Sequence, residues 1–292
     1  LDVLVERGLI SRHGGEKGRF VFATQLIWEV VSSSVLGSQL RDLHHRISIG
    51  IEACFEGRLE GHYEALALHC AAGGRLLKAA RYYELAGDRH RLLGLIERAS
   101  DCYAQGVDVL EKLPDKEAEN MRLEGLATLY LKLGRITAIL GHQDKAARHL
   151  QIAQEISADL LIPDLEVGCL VELGRLYLNQ GKVEMATMIL EQGLSEARVA
   201  GLERLQAELH ISMGHLGLES GKSELATEHF EKALEVSADQ KDLGAAAFAG
   251  LANLHNRLGR MDLAMASLGQ ARVLAEETGD MLLQSRIVNN MG

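Results

Sequence analysis

One sequence frame recurs along this chain at intervals of about forty residues, and it constrains the fold more than any other feature. The frame is clearest in Leu173–Tyr177, which reads L-G-x-x-Y and precedes a turn at Gly181. Gly174 has counterparts forty residues away on both sides (174 − 134 = 40 and 214 − 174 = 40). Self-similarity at a fixed period is the signature of a repeat architecture. The frame positions in register are Gly134, Gly174, Gly214, Ala252 and Gly292.

Each unit of the frame predicts a pair of packed helices. The first helix carries the frame glycine or alanine. The second carries alanine, then a large apolar residue four positions later, then a small residue three positions after that, as in Ala186, Leu190 and Gly193. Spacings of three and four place side chains on one face of a helix. Small residues let the two helices approach and Leu190 fills the space between them, so the predicted fold class is all-α.

This frame resembles the tetratricopeptide repeat (TPR), which reads L-G-x-x-Y in its first helix and A-x-x-x-F in its second. The resemblance covers roughly residues 74–292. The period is longer than the usual repeat of roughly 34 residues, and the proline that commonly closes the second helix is absent. The longer unit is similar to the repeats of kinesin light chains and of large bacterial signalling ATPases. The resemblance implies a right-handed α-solenoid whose first helices line a concave groove.

Charge and cysteine content narrow the classes of function. The net charge of −10 argues against a general nucleic-acid surface, which needs a basic field. The four cysteines include no C-x-x-C pair, as expected for free thiols in a reducing compartment. No apolar run in the sequence is long enough to span a bilayer. We therefore expect a cytoplasmic protein without membrane contact, for which nucleic acid is not the expected partner.

The N-terminal residues follow a different pattern. Residues 1–7 have helical spacing, and residues 9–12 and 19–22 predict two strands joined by a Gly-rich turn at 13–18. A helix followed by a hairpin is the order of the closing half of a winged helix. This order resembles that of bacterial STAND/AAA-type signalling ATPases, which include LuxR-type regulators, adenylate cyclases and Ser/Thr kinases. Because the chain starts at Leu1 without Met, we expect a piece of such a protein.

The predicted organisation has three parts. Residues 1–36 form the C-terminal part of a winged-helix-like module. Residues 37–113 form a helical adaptor with the first TPR-like unit, and residues 114–292 form the regular solenoid, which ends within its last repeat.

No stretch predicts a catalytic, cofactor-binding or metal-binding site. Gly221-Lys222-Ser223 resembles the end of a P-loop, but a P-loop needs a glycine five positions earlier, where Leu216 stands. His62-x-Glu64 matches half of a zinc-deaminase motif, but the P-C-x-x-C partner is missing. We therefore expect no enzyme activity and no cofactor in this chain, and we place any ATPase centre upstream of Leu1.

The predicted functional surface is the groove. Arg135, Arg175, His215 and Asn253 each follow the frame residue by one position, which the TPR resemblance places in the groove. They form a polar, mostly basic row, and arginine and asparagine are suited to holding carboxylates or an extended backbone. The simpler interpretation is that these residues are only solvated. The candidate groove residues are Thr128, Leu131, Arg135, Arg175, Asn179, Glu208, His215, Asn253, Asn256 and Arg257.

The function predicted from these features is that of a protein- or peptide-binding scaffold that regulates a larger signalling protein with an ATPase and an effector. The expected partner is an acidic, extended segment, and another domain of the same protein is one candidate. The alternative is a small-ligand-sensing domain of a bacterial transcription regulator, adenylate cyclase or Ser/Thr kinase. A closed apolar pocket in the groove would favour that alternative.

Overall fold

The fold is built almost entirely of helices. The computed structural model describes residues 1–12, 20–34, 36–114, 118–237, 239–278 and 284. Its N-terminal part contains a short helix, a two-stranded hairpin and a second helix. Their bounds are α1 Asp2–Glu6, β1 Ile10–Arg12, β2 Phe20–Phe22 and α2 Gln25–Ser34.

The remaining described residues form a succession of helices in which each α-helix from the third onward packs on the next. A short 3-10 helix, Leu59–His62, precedes the fourth α-helix. The bounds are α3 Gly37–Cys54, α4 Tyr63–Ala72, α5 Leu76–Leu92, α6 Ile96–Glu111, α7 Glu119–Ile139, α8 Gln143–Asp159, α9 Pro163–Asn179, α10 Val183–Val199, α11 Glu203–Glu219, α12 Ser223–Val236, α13 Lys241–Arg257 and α14 Met261–Thr278.

The predicted N-terminal hairpin is present. β1 and β2 run antiparallel, with Ile10 opposite Phe22 and Ser11 opposite Val21. α1 packs on β1, and α2 packs on β2. The Gly-rich turn predicted at 13–18 lies outside the described residues. The interpretation of this segment as half of a winged helix stays a prediction.

From α5 onward the described helices form five pairs: α5/α6, α7/α8, α9/α10, α11/α12 and α13/α14. The first helix of each pair, here called the inner helix, also contacts the inner helix of the next pair. The second, outer helix packs on the inner helix of its own pair and on that of the next pair. Because the inner helices lie side by side, they form one continuous surface on the concave side. The TPR-like α-solenoid predicted from the sequence is thus confirmed.

One close contact recurs within the pairs. In four of them, a glycine of the inner helix lies against a large residue of the outer helix. A Cβ atom added to Gly174 would lie 2.7 Å from Leu190 Cγ, far closer than packed carbon atoms approach. The large side chains are 0–1% exposed, so they have no space into which to retreat. The four contacts are Gly87 with Tyr103, Gly134 with Leu150, Gly174 with Leu190, and Gly214 with Phe230.

Several helices are followed by a residue in the left-handed backbone conformation, with a positive φ. Gly181 has a φ of 71°, and the Lys182 N–H donates to the Tyr177 carbonyl at 2.9 Å, a hydrogen bond that ends a helix. Gly201, between α10 and α11, has a φ of 68°. Forty residues earlier (201 − 40 = 161), Leu161 takes the same conformation with a φ of 54°. A side chain in this region costs about 1–2 kcal/mol, so Leu161 is a strained position in an otherwise regular solenoid.

Two further predictions concern the last frame residue and membranes. Gly292, the last frame residue, lies outside the described residues. Within the described part of the chain, we find no helix that combines the length and the apolar character needed to cross a bilayer.

The contact between Gly174 and Leu190 predicts the effect of adding one methyl group. Gly174→Ala should destabilise the protein by roughly 1–3 kcal/mol, because the new Cβ overpacks the space beside Leu190. Gly269 in α14 is the matched control, because a Cβ there meets nothing within 4 Å. Gly269→Ala should stabilise by up to about 1 kcal/mol through helix propensity. Denaturant unfolding measures the change in the free energy of unfolding for both variants. Equal changes would show that the spacing between α9 and α10 has been misassigned.

Candidate functional site

All the predicted groove residues lie on inner helices, as the repeat frame implies. The structure brings three of them, Arg135, Arg175 and Glu208, into one cluster of charges. The other residues are distributed along the same helices. Thr128, Leu131 and Arg135 lie on α7, Arg175 and Asn179 on α9, Glu208 and His215 on α11, and Asn253, Asn256 and Arg257 on α13.

Glu172 on α9 holds two of the predicted arginines together. Its Oε1 accepts hydrogen bonds from Arg135 Nε on α7 at 2.8 Å and from Arg175 Nη1 on its own helix at 2.9 Å. Arg175 Nε also donates to Ser212 Oγ on α11 at 3.1 Å. One carboxylate and its two arginines therefore link three successive inner helices.

The same pattern of charges continues onto α11 and α13. Glu208 Oε2 lies 3.6 Å from Arg175 Nη2 and 3.9 Å from Arg135 Nη2. Arg204 Nε lies 3.6 Å from Glu208 Oε1, and its guanidinium also forms an ion pair with Asp242 on α13. Three arginines thus alternate with three carboxylates. We call this set the charge ladder: Arg135, Glu172, Arg175, Glu208, Arg204 and Asp242.

Two carboxylates of the ladder, Glu172 and Glu208, are buried, whereas its arginines are partly exposed. Glu172 and Glu208 are each 7% exposed, whereas the side chains of Arg135 and Arg175 keep 37% and 35% of their surface exposed. Burial alone would raise the pKa of Glu172, but Arg135 and Arg175 outweigh it, and the pKa lies below its usual value. Glu172 in turn raises the pKa of the Arg135 guanidinium. Glu172 and Arg135 are therefore charged at neutral pH, and solvent reaches the ladder through its arginines.

A second set of ion pairs extends this surface to α5. Lys132 Nζ on α7 lies 2.7 Å from Glu84 Oε1 and 2.6 Å from Asp88 Oδ2, both on α5. The Tyr103 hydroxyl donates to Asp88 at 2.8 Å. Lys132 and Glu172 occupy the same repeat position, two residues before the frame glycine (134 − 2 and 174 − 2). Ion pairs therefore connect each inner helix from α5 to α13 with the next.

The ladder borders a depression between α7 and the first turns of α9 and α11. Its volume is about 380 Å³, and it is open to solvent. Gly168 keeps this space open, because a Cβ added there would lie 3.1 Å from Leu131 Cδ2. The depression can therefore accept an apolar side chain beside charged groups. Its lining includes Leu131, Leu165, Gly168, Leu205, Arg135 and Glu208.

The remaining predicted residues make separate contacts. The His215 ring meets the buried Phe230 ring edge-on, with 5.3 Å between ring centroids. Arg257 Nη2 lies 2.8 Å from Glu219 Oε1, so it joins α13 to the end of α11. The His215 ring is therefore in contact with the core of its own unit. Thr128 and Asn253 are half-buried, and Asn179 and Asn256 are exposed.

Sequence reasoning did not find Glu172, which is the centre of the ladder. The predicted groove positions were counted from the frame residue, and Glu172 falls between two of them. Two signals in the sequence point to it. Glu172 precedes Arg175 by three residues, a spacing that allows contact on a helix surface. Arg135 stands at the position of Arg175 one repeat earlier (175 − 40 = 135), so it faces the same carboxylate from the neighbouring helix.

Comparison with protein families agrees with the repeat fold. The tetratricopeptide repeat family model matches residues 207–240, which include most of α11 and all of α12. The matched range contains the contact between Gly214 and Phe230. No curated protein sequence matches the chain.

Solved structures contain similar solenoids. The Rap conjugation gene regulator of plasmid pLS20, in complex with a Phr peptide, has a TM-score of 0.65 at 15% identity, over 86% of this chain and 78% of that chain. A Rap protein complexed with competence and sporulation factor has a TM-score of 0.62 at 16% identity, over 89% and 77%. BtubC from P. vanneervenii has a TM-score of 0.51 at 17% identity, over 87% and 92%. At these identities the likeness concerns the fold.

The ladder predicts that Glu172 is a stabilising residue. Glu172→Gln should destabilise the protein by about 1.5–3 kcal/mol, because two charge-assisted hydrogen bonds are weakened and Arg135 and Arg175 then repel each other. Glu191→Gln on the solvent side of α10 is the matched control and should stay within about 0.5 kcal/mol of the wild type. Chemical denaturation at neutral pH measures both. If Glu172→Gln loses no more stability than Glu191→Gln, then Glu172 does not stabilise the protein through the ladder.

Proposed function

We propose that this chain is a protein- or peptide-binding repeat scaffold and that the concave groove is its binding surface. The observation that carries this proposal is the continuity of the groove. Inner helices from successive pairs contribute polar side chains to one face, and the charge ladder and the open depression lie next to each other on it. The Rap conjugation gene regulator, which has a similar fold, is described as a complex with a peptide, and this supports the same type of ligand here.

The distance between neighbouring inner helices along the groove favours an extended segment as the ligand. Packed helices lie roughly 10 Å apart, and an extended chain rises about 3.3 Å per residue. A bound segment would therefore advance about three residues for each inner helix that it crosses. An apolar side chain of the segment would fill the depression beside Leu131, and its backbone or polar side chains would meet the guanidinium groups of Arg135 and Arg175.

The charge of the partner is the more specific part of the proposal. Arg135 and Arg175 each keep about a third of their side-chain surface exposed (37% and 35%), so an acidic side chain can still accept hydrogen bonds from them. The carboxylates of the ladder already offset the charges of its arginines. An acidic segment would thus bind through directed hydrogen bonds more than through a general positive field, and added salt should weaken binding only modestly.

The small-ligand alternative finds less support in the groove. A closed apolar pocket would favour it, and the depression of about 380 Å³ is open and mixed in polarity. An opening of this kind suits one side chain of a longer ligand. We therefore place the peptide hypothesis first and keep small-ligand sensing as the second candidate.

The wider proposal is that this scaffold regulates a larger bacterial signalling protein with an ATPase and an effector domain. The order of helix, hairpin and helix ahead of the solenoid supports it, and the partner segment could then come from another domain of the same protein. The scaffold would act by binding, and any phosphate-binding loop would lie outside this chain. The full-length gene sequence tests this proposal: a P-loop upstream and an output domain are expected, and their absence would overturn it.

The binding proposal is tested by selecting peptides and locating their site. Peptides selected from a random library on the immobilised protein are labelled, and their affinities are measured by fluorescence anisotropy. Leu131→Lys in the depression should weaken binding about tenfold or more, which corresponds to about 1.4 kcal/mol. Ile152→Lys on the outer helix α8 is the matched control, because Ile152 is exposed away from the groove. This control should leave the affinity unchanged.

The same peptides test the proposed charge preference. Acidic residues should be enriched in the selected sequences, and their replacement by amides should weaken binding. Circular dichroism of each variant confirms that it is folded before the affinities are compared. If Leu131→Lys and Ile152→Lys weaken the affinity equally, or if Leu131→Lys does not weaken it, the binding surface does not lie in the groove.

A further inference from the structure

Three potential metal ligands converge where α4, α5 and α6 meet. Glu64 lies in the first turn of α4, His90 in the last turn of α5, and Cys102 in α6. One ligand atom from each residue lies within 4.8 Å of the other two. Within the described part of the chain, this is the only such group of three or more His, Cys, Asp or Glu residues.

The three side chains differ in burial in a way that suits a site at the edge of the core. His90 is 8% exposed and Cys102 is 6% exposed, whereas Glu64 is exposed. His90 Nε2 forms a hydrogen bond with the Glu64 carboxylate. His90 Nδ1 is buried and has no hydrogen-bond partner among the described residues. An ion shared with Glu64 would bind Nε2 and take the place of the hydrogen bond between Nε2 and Glu64, so the ring proton would then lie on Nδ1.

The chemistry of the set selects one class of metal ion. Thiolate, imidazole and carboxylate are the ligands that Zn²⁺ takes in proteins, and three protein ligands with one water complete a tetrahedral site. Mg²⁺ and Ca²⁺ prefer sets made of oxygen atoms, so the sulfur and nitrogen donors disfavour them. Binding requires the thiolate form of Cys102, so its thiol proton would leave to solvent as the metal–sulfur bond forms.

We propose that Glu64, His90 and Cys102 form a binding site for a divalent transition-metal ion of the zinc class. A water molecule would complete the coordination, since the exposed Glu64 places one edge of the group next to solvent. The ion would join α4 to the first complete helix pair, α5/α6, and so stabilise the start of the solenoid. This proposal departs from the sequence-based expectation of no metal site, since His62 and Glu64 matched only half of a known motif. In the structure His62 packs against the Phe55 ring instead, with 3.8 Å between ring centroids.

Titration with Co²⁺, followed by displacement with Zn²⁺, tests the site in the intact chain under reducing conditions. Co²⁺ bound to a thiolate gives a sulfur-to-metal charge-transfer band in the near ultraviolet. The wild type should bind one ion per chain, show this band and lose it on adding Zn²⁺. Cys102→Ser should abolish the band. Glu64→Gln should keep the band but weaken binding about tenfold or more, since removing even a supporting residue commonly costs that much.

The controls separate this site from adventitious binding. Glu64 is exposed, so Glu64→Gln should not disturb folding, and Cys102→Ser is checked by circular dichroism. Cys169→Ser removes a buried free cysteine on α9 and should leave the Co²⁺ band and affinity unchanged. The proposal is overturned if the wild type shows no saturable charge-transfer band, if the band survives in Cys102→Ser, or if Glu64→Gln binds as tightly as the wild type. In those cases Glu64 and His90 form a hydrogen-bonded pair only.

Discussion

The structure depends on one contact that is repeated from unit to unit: a glycine of the inner helix against a large side chain of the outer helix. Gly134 with Leu150 and Gly174 with Leu190 are examples, and neither glycine has room for a Cβ atom. The contact fixes how closely the helices of a pair approach. Because each pair then has nearly the same shape, the pairs stack regularly and their inner helices lie side by side.

This regular stacking explains the arrangement of charges in the groove. A residue position that recurs every forty residues meets its counterpart on the neighbouring inner helix, so Arg135 and Arg175 reach the same carboxylate of Glu172. The buried carboxylates hold the arginines in place, and the exposed parts of the arginines stay available to a partner. The ladder therefore contributes both to the stability of the solenoid and to the surface that we propose for binding.

Much of the fold could be predicted from the sequence, because the frame glycines and the residues that fill the space beside them follow local spacing rules. Arg135, Arg175 and Glu208 were placed on inner helices by the same frame. The role of Glu172 was missed because it depends on how neighbouring units are rotated, which a frame along the chain does not encode. Glu64, His90 and Cys102 were missed because they come from three helices and share no sequence motif.

The most direct test of the account is a double-mutant cycle on one repeat contact. Gly214→Ala adds a methyl group beside Phe230, and Phe230→Leu makes space for it. If the glycine contact sets the helix spacing, the two changes should be coupled by about 1 kcal/mol or more, with the double variant more stable than the sum of the single losses predicts. Gly214→Ala combined with Leu150→Val, two pairs away, should be additive within about 0.5 kcal/mol. Additivity of Gly214→Ala with Phe230→Leu would contradict the central claim.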